Sequence, residues 1–396
     1  MRIIYLRAYD FPIGGAAQNR LLGICKGLIE EGHDVQVHQF TPSKLNIAEN
    51  LLKKQVYNKV FIHNHSWRFS PANTIFKQLI GVIIGVFSSI ISILINNRKE
   101  KIDYLFINSE KNIYTLIYWL LCKIISAKLG RDLNEYPSHI IFNKKKSLRI
   151  KIKERLNYKF FDVALIISRP LLDFYKPLLR KKSRVLLLPV TVDFERFNGG
   201  YPKHDSLNIT YCGDLSQEKD GVFDLAKAFK MLTNEYPYLK LKLIGENKSQ
   251  SQKNELRKLV YNLGIEEHVL FKGFISGELI PNELYDSKLL VLSRPANKQA
   301  EGGFPTKLGE YLATGIPVVV TRVGDIPFYL KDSESAYLSE PGNYHDFYLA
   351  MKRALSNEYN SKSVGLNGKK IALTYFSHKN QGKQLSDFLL KHCYNE

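Results

Sequence analysis

Short runs of apolar, often β-branched residues recur along this chain, each separated from the next by a segment of helical spacing, and this alternation constrains the fold more than any other feature. Residues 163–168 read Val-Ala-Leu-Ile-Ile-Ser, 289–292 read Leu-Leu-Val-Leu, and 318–321 read Val-Val-Val-Thr. Such runs have no polar face, as expected of strands in a parallel sheet covered by helices on both sides. The chain opens with one such unit. Residues 2–9 are strand-like, 10–17 form a loop with Pro12, Gly14 and Gly15, and 18–31 set Leu21, Ile24, Cys25 and Leu28 on one helical stripe. Gly32 supplies a left-handed stop, and Val35 to His38 start the next strand.

The second half repeats the pattern, with strands expected at 208–212, 239–244, 269–271, 289–292 and 318–321. A chain of 396 residues exceeds what one core fills, so two α/β domains are expected, at 1–198 and 199–377, joined by a polar linker at 198–206. Hydrophobic residues make up 44% and charged residues 24%, which excludes a disordered or fibrous chain. Cys25, Cys122, Cys212 and Cys393 are scattered and form no C-x-x-C pair, pointing away from a disulfide framework or structural zinc and toward a reducing, cytoplasmic setting. Met1 runs straight into a strand-like segment with no export signal pattern.

The formal charge of +19 suits phosphate-bearing substrates or an anionic membrane surface; a nucleic-acid partner is not expected. Two stretches bear on the membrane. Residues 79–95 are uncharged but shorter than the roughly 20 residues of a spanning helix, and the strand-like 101–107 follows, so a helix sandwiched in an α/β layer is expected. Residues 139–160 carry Lys144, Lys145, Lys146, Arg149, Lys151, Lys153, Arg155 and Lys159 against Glu154 alone, enough to attract acidic headgroups or a phosphate-rich acceptor.

Absent motifs narrow the chemistry. There is no P-loop, no H-E-x-x-H and no G-x-G-x-x-G after the first strand. No D-x-D pair is present to hold a divalent ion, so a bound diphosphate must be neutralised by protein groups. Two segments could do this. Residues 211–221 place Gly213 at a strand end, then Lys219 and Gly221 just before a helix at 222–232, so that a phosphate would meet backbone N–H groups, a helix dipole and an ammonium together. Residues 294–321 start a helix near Pro305, with Glu310 about one and a half turns in, able to direct its carboxylate at a ribose, and end it at Gly315. His63 and His65 are taken as loop residues rather than metal ligands, because no acidic or cysteine partner lies nearby.

Taken together these segments resemble the retaining GT-B glycosyltransferases of family 4. Gly14-Gly15 with Gly32-His33-Asp34-Val35 is similar to the family's N-terminal glycine loop and turn. Pro189 to Phe197 is similar to its interdomain segment, Gly213 to Gly221 to its diphosphate loop, and Glu301 to Thr321 to its donor-ribose helix.

The resemblance implies two Rossmann-like domains facing across a cleft, with acceptor on the first, donor on the second, and the last helix, about 378–396, crossing back. It implies Lys219 as diphosphate ligand, Glu310 as ribose ligand, and Gly302, Gly303, Phe304, Pro305 and Thr306 as the donor turn, with Gly245, Arg294 and Lys307 also on the donor side. It places Glu135, Glu301 and Lys219 near the reacting carbon, and requires neither metal nor other cofactor. The implied activity is transfer from a nucleotide-diphosphate sugar to a saccharide or lipid-linked acceptor of surface polysaccharide, at the inner face of the cytoplasmic membrane. A sugar-nucleotide 2-epimerase and a non-catalytic membrane- or polyanion-binding scaffold are the alternatives. Two positions depart from the family pattern: eight residues rather than seven separate Glu301 from Glu310, and Asp214 stands where many relatives have arginine.

Overall fold

The computed structural model describes residues 1–13, 15–43, 48–66, 75–109, 111–142, 147–203, 205–247 and 249–393. The chain divides into two compact units: Met1–Asn134 with Phe142–Thr191 and His378–Glu396, and Glu135–Ile141 with Val192–Ser377. The linker residues 198–206 fall inside the second unit.

In the first unit β1 (Arg2–Arg7), β2 (Asp34–Gln39), β3 (Lys54–Tyr57), β4 (Val60–Asn64), β5 (Tyr104–Asn108), β6 (Lys128–Leu133), β7 (Val163–Ile166) and β8 (Arg184–Leu187) form one sheet in the order β3-β4-β2-β1-β5-β6-β7-β8. All pairs are parallel except β3 with β4. That hairpin is absent from the sequence expectation: β3 has only Val56 and Tyr57 as apolar residues, and the apolar run of β4, Val60-Phe61-Ile62, is only three residues long. Its turn, Asn58-Lys59, takes positive φ of 47° and 68°, as a tight hairpin requires.

The second unit holds β9 (Asn208–Cys212), β10 (Lys240–Ile244), β11 (Val269–Gly273), β12 (Leu289–Leu292), β13 (Val318–Thr321) and β14 (Tyr337–Ser339), in the order β11-β10-β9-β12-β13-β14, all parallel. Counted within the unit this is 3-2-1-4-5-6, the doubly wound order, which puts its topological switch point at the carboxyl ends of β9 and β12. β13 is buried throughout and β12 likewise, as their unbroken apolar runs demand.

The helix His378–Cys393 packs on the helix Ala16–Glu30 in the first unit. Gly27 and Gly382 meet there: a Cβ on Gly27 would collide with the His378 carbonyl and sit 2.9 Å from the Gly382 Cα. Leu385 and Leu389 complete the same core as Ile3, Leu28 and Tyr104, and the Tyr104 hydroxyl donates to the Leu389 carbonyl at 2.9 Å.

The sandwiched helix expected at 79–95 is corrected. The helix runs Ile75–Lys99 and is covered on one side only. Its small residues face inward: Gly81 sits against Pro42, a Cβ on Gly85 would collide with the Phe40 carbonyl, and Ser89 is fully buried, sharing a 2.7 Å hydrogen bond with Tyr118. Its large residues Leu79, Ile83, Phe87, Ile91 and Ile95 recur every four positions on the opposite side and are exposed. Small residues take the buried seam because only they allow so close a backbone approach, which leaves the bulky ones without a partner.

Candidate functional site

The switch point of the second unit gathers most of the residues singled out above. β9 ends at Cys212, and Gly213 donates to the Ile244 carbonyl at 2.8 Å while Gly245 donates to the Gly273 carbonyl at 2.8 Å. Gly245 has φ of 122°, and a Cβ there would collide with the Gly213 carbonyl; a Cβ on Gly213 would strike the Lys307 ammonium. Glycine at both positions lets two strand ends and a lysine close on one another.

Behind these glycines lies a charged cluster. Lys307, in the first turn of the helix Thr306–Thr314, bonds Asp220 Oδ2 at 2.6 Å and Tyr211 Oη at 3.0 Å, and Tyr211 also donates to Asp220 Oδ2 at 2.9 Å. Asp220 is almost wholly buried. Burial alone would raise its pKa, but Lys307, then Arg294, and the Tyr211 hydroxyl outweigh that, so the carboxyl is held below its usual range. Tyr211 is pushed well above the ordinary phenol value, by burial first and by Asp220 second.

Arg294, at the end of β12, is buried and donates to the carbonyls of Ala300 at 3.1 Å and Gly303 at 2.7 Å. It thereby fixes the turn from Gln299 to Gly303, and its pKa is lowered by burial although Asp220 and Glu135 oppose the shift. The two candidate diphosphate cations Arg294 and Lys307 are therefore both engaged inside the protein. Lys219, on the short helix Gln217–Asp220, is half-buried and has no hydrogen bond or ion pair among the described residues.

The helix Val222–Thr233, expected to offer its N-terminus to phosphate, is already capped: Gln217 Oε1 accepts from the N–H groups of Phe223 at 3.0 Å and Asp224 at 3.3 Å. By contrast Pro305, at the N-cap of Thr306–Thr314, provides no side-chain cap, so that helix keeps open N–H groups and the positive end of its dipole. Gly315 ends it in the left-handed conformation, φ 78°. Tyr311 on this helix accepts from the Cys212 N–H at 2.6 Å, fixing the helix to the end of β9.

Glu310 pairs through Oε1 with Arg196 at 2.5 Å, while its Oε2 has no partner among the described residues. Arg196 also donates to the Gly277 carbonyl at 2.7 Å. Sequence reasoning passed over Arg196, which lies in the Pro189 to Phe197 segment; the signal was a lone cation inside a motif already noted for its other residues.

Glu301 is partly exposed and pairs with Lys298 at 2.7 Å, one helical turn before it. Gly302 is buried and Gly303 half-buried, whereas the Phe304 ring is buried against Tyr329 and Phe376 at 5.5 and 5.1 Å, so its side chain belongs to the core and only its backbone borders the turn. Asp214, in the arginine position, caps its own loop by accepting from Ser216 N at 3.1 Å. Glu135 is exposed, belongs to the second unit, and lies close enough to Arg294 for its carboxylate to raise that group's pKa.

In the first unit Gly15 is the N-cap of Ala16–Glu30 and donates to Gln18 Oε1 at 3.1 Å. Gly14, Lys144, Lys145 and Lys146 lie outside the described residues, as do the side chains of Arg149 and Lys151.

His63 is in β4 rather than a loop, and with His65 it meets His38 of β2. His65 Nε2 and His38 Nδ1 share a hydrogen bond of 3.0 Å, and His65 Nδ1 reaches Ser88 at 3.1 Å. Burial first, then His63, pushes His38 down to about 3, and burial first, then His38 and His63, pushes His65 down to about 2, so both are neutral imidazoles at pH 7. Together the three imidazoles offer one ring nitrogen each within 4.8 Å of one another, close enough to hold a divalent ion.

The two doubly wound parallel sheets, with polar groups gathered at a switch point, define the α/β fold of the GT-B class. Residues 193–371, within the second unit, match the family described as Glycosyl transferases group 1. Among curated relatives, mannosylfructose-phosphate synthase of Agrobacterium fabrum is 24% identical over 53% of this chain and 50% of its own length. The GDP-mannose-dependent α-(1-6)-phosphatidylinositol monomannoside mannosyltransferase of Mycolicibacterium smegmatis is 22% identical over 58% of this chain and 62% of its own. The matched region thus spans about half the length of the first of these relatives. Among solved structures, HepE of Anabaena in complex with UDP superposes with TM-score 0.74 at 16% identity, covering 99% of this chain and 100% of its own. Sucrose-phosphate synthase of Thermosynechococcus elongatus gives 0.74 at 15% identity, covering 99% and 98%.

Proposed function

We propose that this protein is a retaining glycosyltransferase of family 4 that moves a sugar from a UDP- or GDP-sugar to a saccharide or lipid-linked acceptor in surface-polysaccharide assembly, without a metal ion. The observation that carries the reading is an ammonium without a partner among the described residues, Lys219, next in sequence to Asp220, which bonds Lys307 in the first turn of Thr306–Thr314, a helix with no side-chain cap. An anion is the ligand such a corner favours. Glu310 Oε2 stands four residues further along the same helix, suited to accept from a ribose hydroxyl. HepE is known with UDP and with UDP-glucose, which supports a nucleotide sugar here.

Four carboxylates at the corner are already matched to a positive or N–H group: Asp220 to Lys307, Glu310 to Arg196, Glu301 to Lys298, Asp214 to Ser216 N. This supports neutralisation of the diphosphate by protein cations rather than by magnesium. In the proposed reaction the bond from the anomeric carbon to the diphosphate oxygen breaks. The acceptor oxygen bonds the same face of that carbon, and the acceptor proton passes to the departing diphosphate. Lys219 and the amides of Thr306 and Lys307 stabilise the charge growing on that oxygen. Glu135 and Glu301 are the side chains proposed to lie beside the sugar. The setting is the inner face of the cytoplasmic membrane, with an anionic surface as partner.

Thermal unfolding with a panel of nucleotide sugars tests this, since a ligand that binds only the native state raises the melting temperature. Stabilisation by one UDP- or GDP-sugar, unchanged by EDTA, is the expected result. No stabilisation by any donor, or stabilisation that EDTA abolishes, would sink the proposal.

A further inference from the structure

The helix Ile75–Lys99 is, over Gln78–Lys99, long and apolar enough to cross a bilayer. The structure gives it another use. Its inward seam of Gly81, Gly85 and Ser89 is locked to Phe40, Pro42 and Tyr118, so it could leave the unit and span a membrane only by opening that seam. Withdrawal would also expose Ile93 and Val86, which are buried.

What it presents outward is a ladder of Leu79, Ile83, Phe87, Ile91 and Ile95, running about 24 Å at the helical rise of about 1.5 Å per residue. The packed neighbour helix Asn112–Ile125 continues this surface with exposed Ile113, Leu116, Leu120 and Ile124. Beyond it, Leu148–Tyr158 adds Ile152 and Leu156. Exposed aliphatic side chains on three adjacent helices are the mark of an interaction or membrane surface.

The charges beside the patch identify its occupant. Arg98 and Lys99 close the first helix, Lys123 stands beside Ile124, and Lys153 and Arg155 flank Ile152 and Leu156; all are exposed. Trp119, half-buried, carries Lys123 over its ring and contacts Phe160, the aromatic chemistry of a bilayer interface. A second copy of this chain would bring these cations against one another, whereas anionic headgroups would neutralise them while the aliphatic ladder enters the acyl boundary.

We infer that the face formed by Ile75–Lys99, Asn112–Ile125 and Leu148–Tyr158 docks in the plane of an anionic lipid bilayer, with Ile75–Lys99 lying along the interface rather than across it. This deepens the membrane clause of the proposed function and rests on it, but not on the donor site.

Flotation of the full chain with vesicles tests the inference, using phosphatidylcholine alone and phosphatidylcholine with 30% phosphatidylglycerol. Binding at least about tenfold stronger to the anionic vesicles is expected, falling about tenfold in Lys123→Glu/Arg155→Glu and as far in Phe87→Ser/Ile91→Ser. Extraction by alkaline carbonate is expected, and protein that resists it would overturn the in-plane geometry. Equal flotation of wild type and Phe87→Ser/Ile91→Ser, or no flotation of wild type, would overturn the docking face. So would a stable dimer in solution that this double variant converts to monomer. Donor-induced thermal stabilisation of the double variant separates the two readings: if it persists while wild type fails to float, only the docking is lost, and if it is absent in both proteins while wild type floats, only the donor reading is lost.

Discussion

Replacing Lys307 by methionine isolates what the Asp220 cluster contributes. The Asp220 side chain is 3% exposed and that of Lys307 18%, with their charged atoms 2.6 Å apart. Removing one partner of a buried pair costs about 3–5 kcal/mol, because the other charge is left without compensation. Here Tyr211 still donates to Asp220 and Arg294 still lowers its pKa, which places the loss near the lower end, about 3 kcal/mol. For a unit of this size that is a drop of about 6–12 °C in melting temperature.

The pH dependence follows from the sign of the shift. In the wild type the Asp220 pKa is depressed, so its contribution is present above the unfolded carboxylate value of about 4 and is lost as pH falls through the lower folded value. In Lys307→Met burial dominates and the pKa rises, so Asp220 takes up a proton on acidification and the penalty shrinks. Thermal and urea unfolding at pH 8 and pH 5 should show the gap between wild type and variant narrowing at the lower pH. Adding Asp220→Asn to the variant should recover at least half of the loss. A loss under about 1 kcal/mol at pH 8, a gap that does not change with pH, or no recovery in the double variant would refute the reasoning.

Lys219→Ala should lower kcat/KM by about a hundredfold or more while changing stability by less than about 0.5 kcal/mol, because the ammonium has no hydrogen bond or ion pair among the described residues; kinetics beside urea melts decide this. Arg196→Ala should raise the donor KM more than it lowers kcat, since it removes the guanidinium that orients Glu310, and Glu310→Gln should do the same; steady-state assays over donor concentration separate the two constants. Phe304→Ala should destabilise by about 3–5 kcal/mol through the cavity beside Tyr329 and Phe376, measurable by thermal unfolding.

Five of the six strands of the second unit were legible nearly to the residue, because both faces of β9, β12 and β13 are covered and unbroken apolar runs have no other stable use; the three-residue edge strand β14 was not. β3 and β4 were not legible, since β3 holds only Val56 and Tyr57 as apolar residues and the run Val60-Phe61-Ile62 of β4 is too short to mark a strand by itself. The long apolar helix was seen, but its exposure was not: sequence spacing shows which residues share a face, not whether a partner covers it. At the site, Lys219 and Glu310 stood out by spacing from glycines. The engagement of Arg294 with loop carbonyls, the capping of Val222–Thr233 by Gln217 and the reach of Arg196 to Glu310 all depend on side-chain directions that no local pattern encodes.

The crossing of Gly27 with Gly382 has a bearing on biosynthesis. Leu385 and Leu389 belong to a core whose other members begin at Ile3, so the portion of the protein synthesised first is completed last, after the whole of Val192–Ser377 has emerged. Domains ordinarily mature in the order they leave the ribosome. Here the leading half must wait on the ribosome with an unfilled groove, while the trailing half already has every strand it needs.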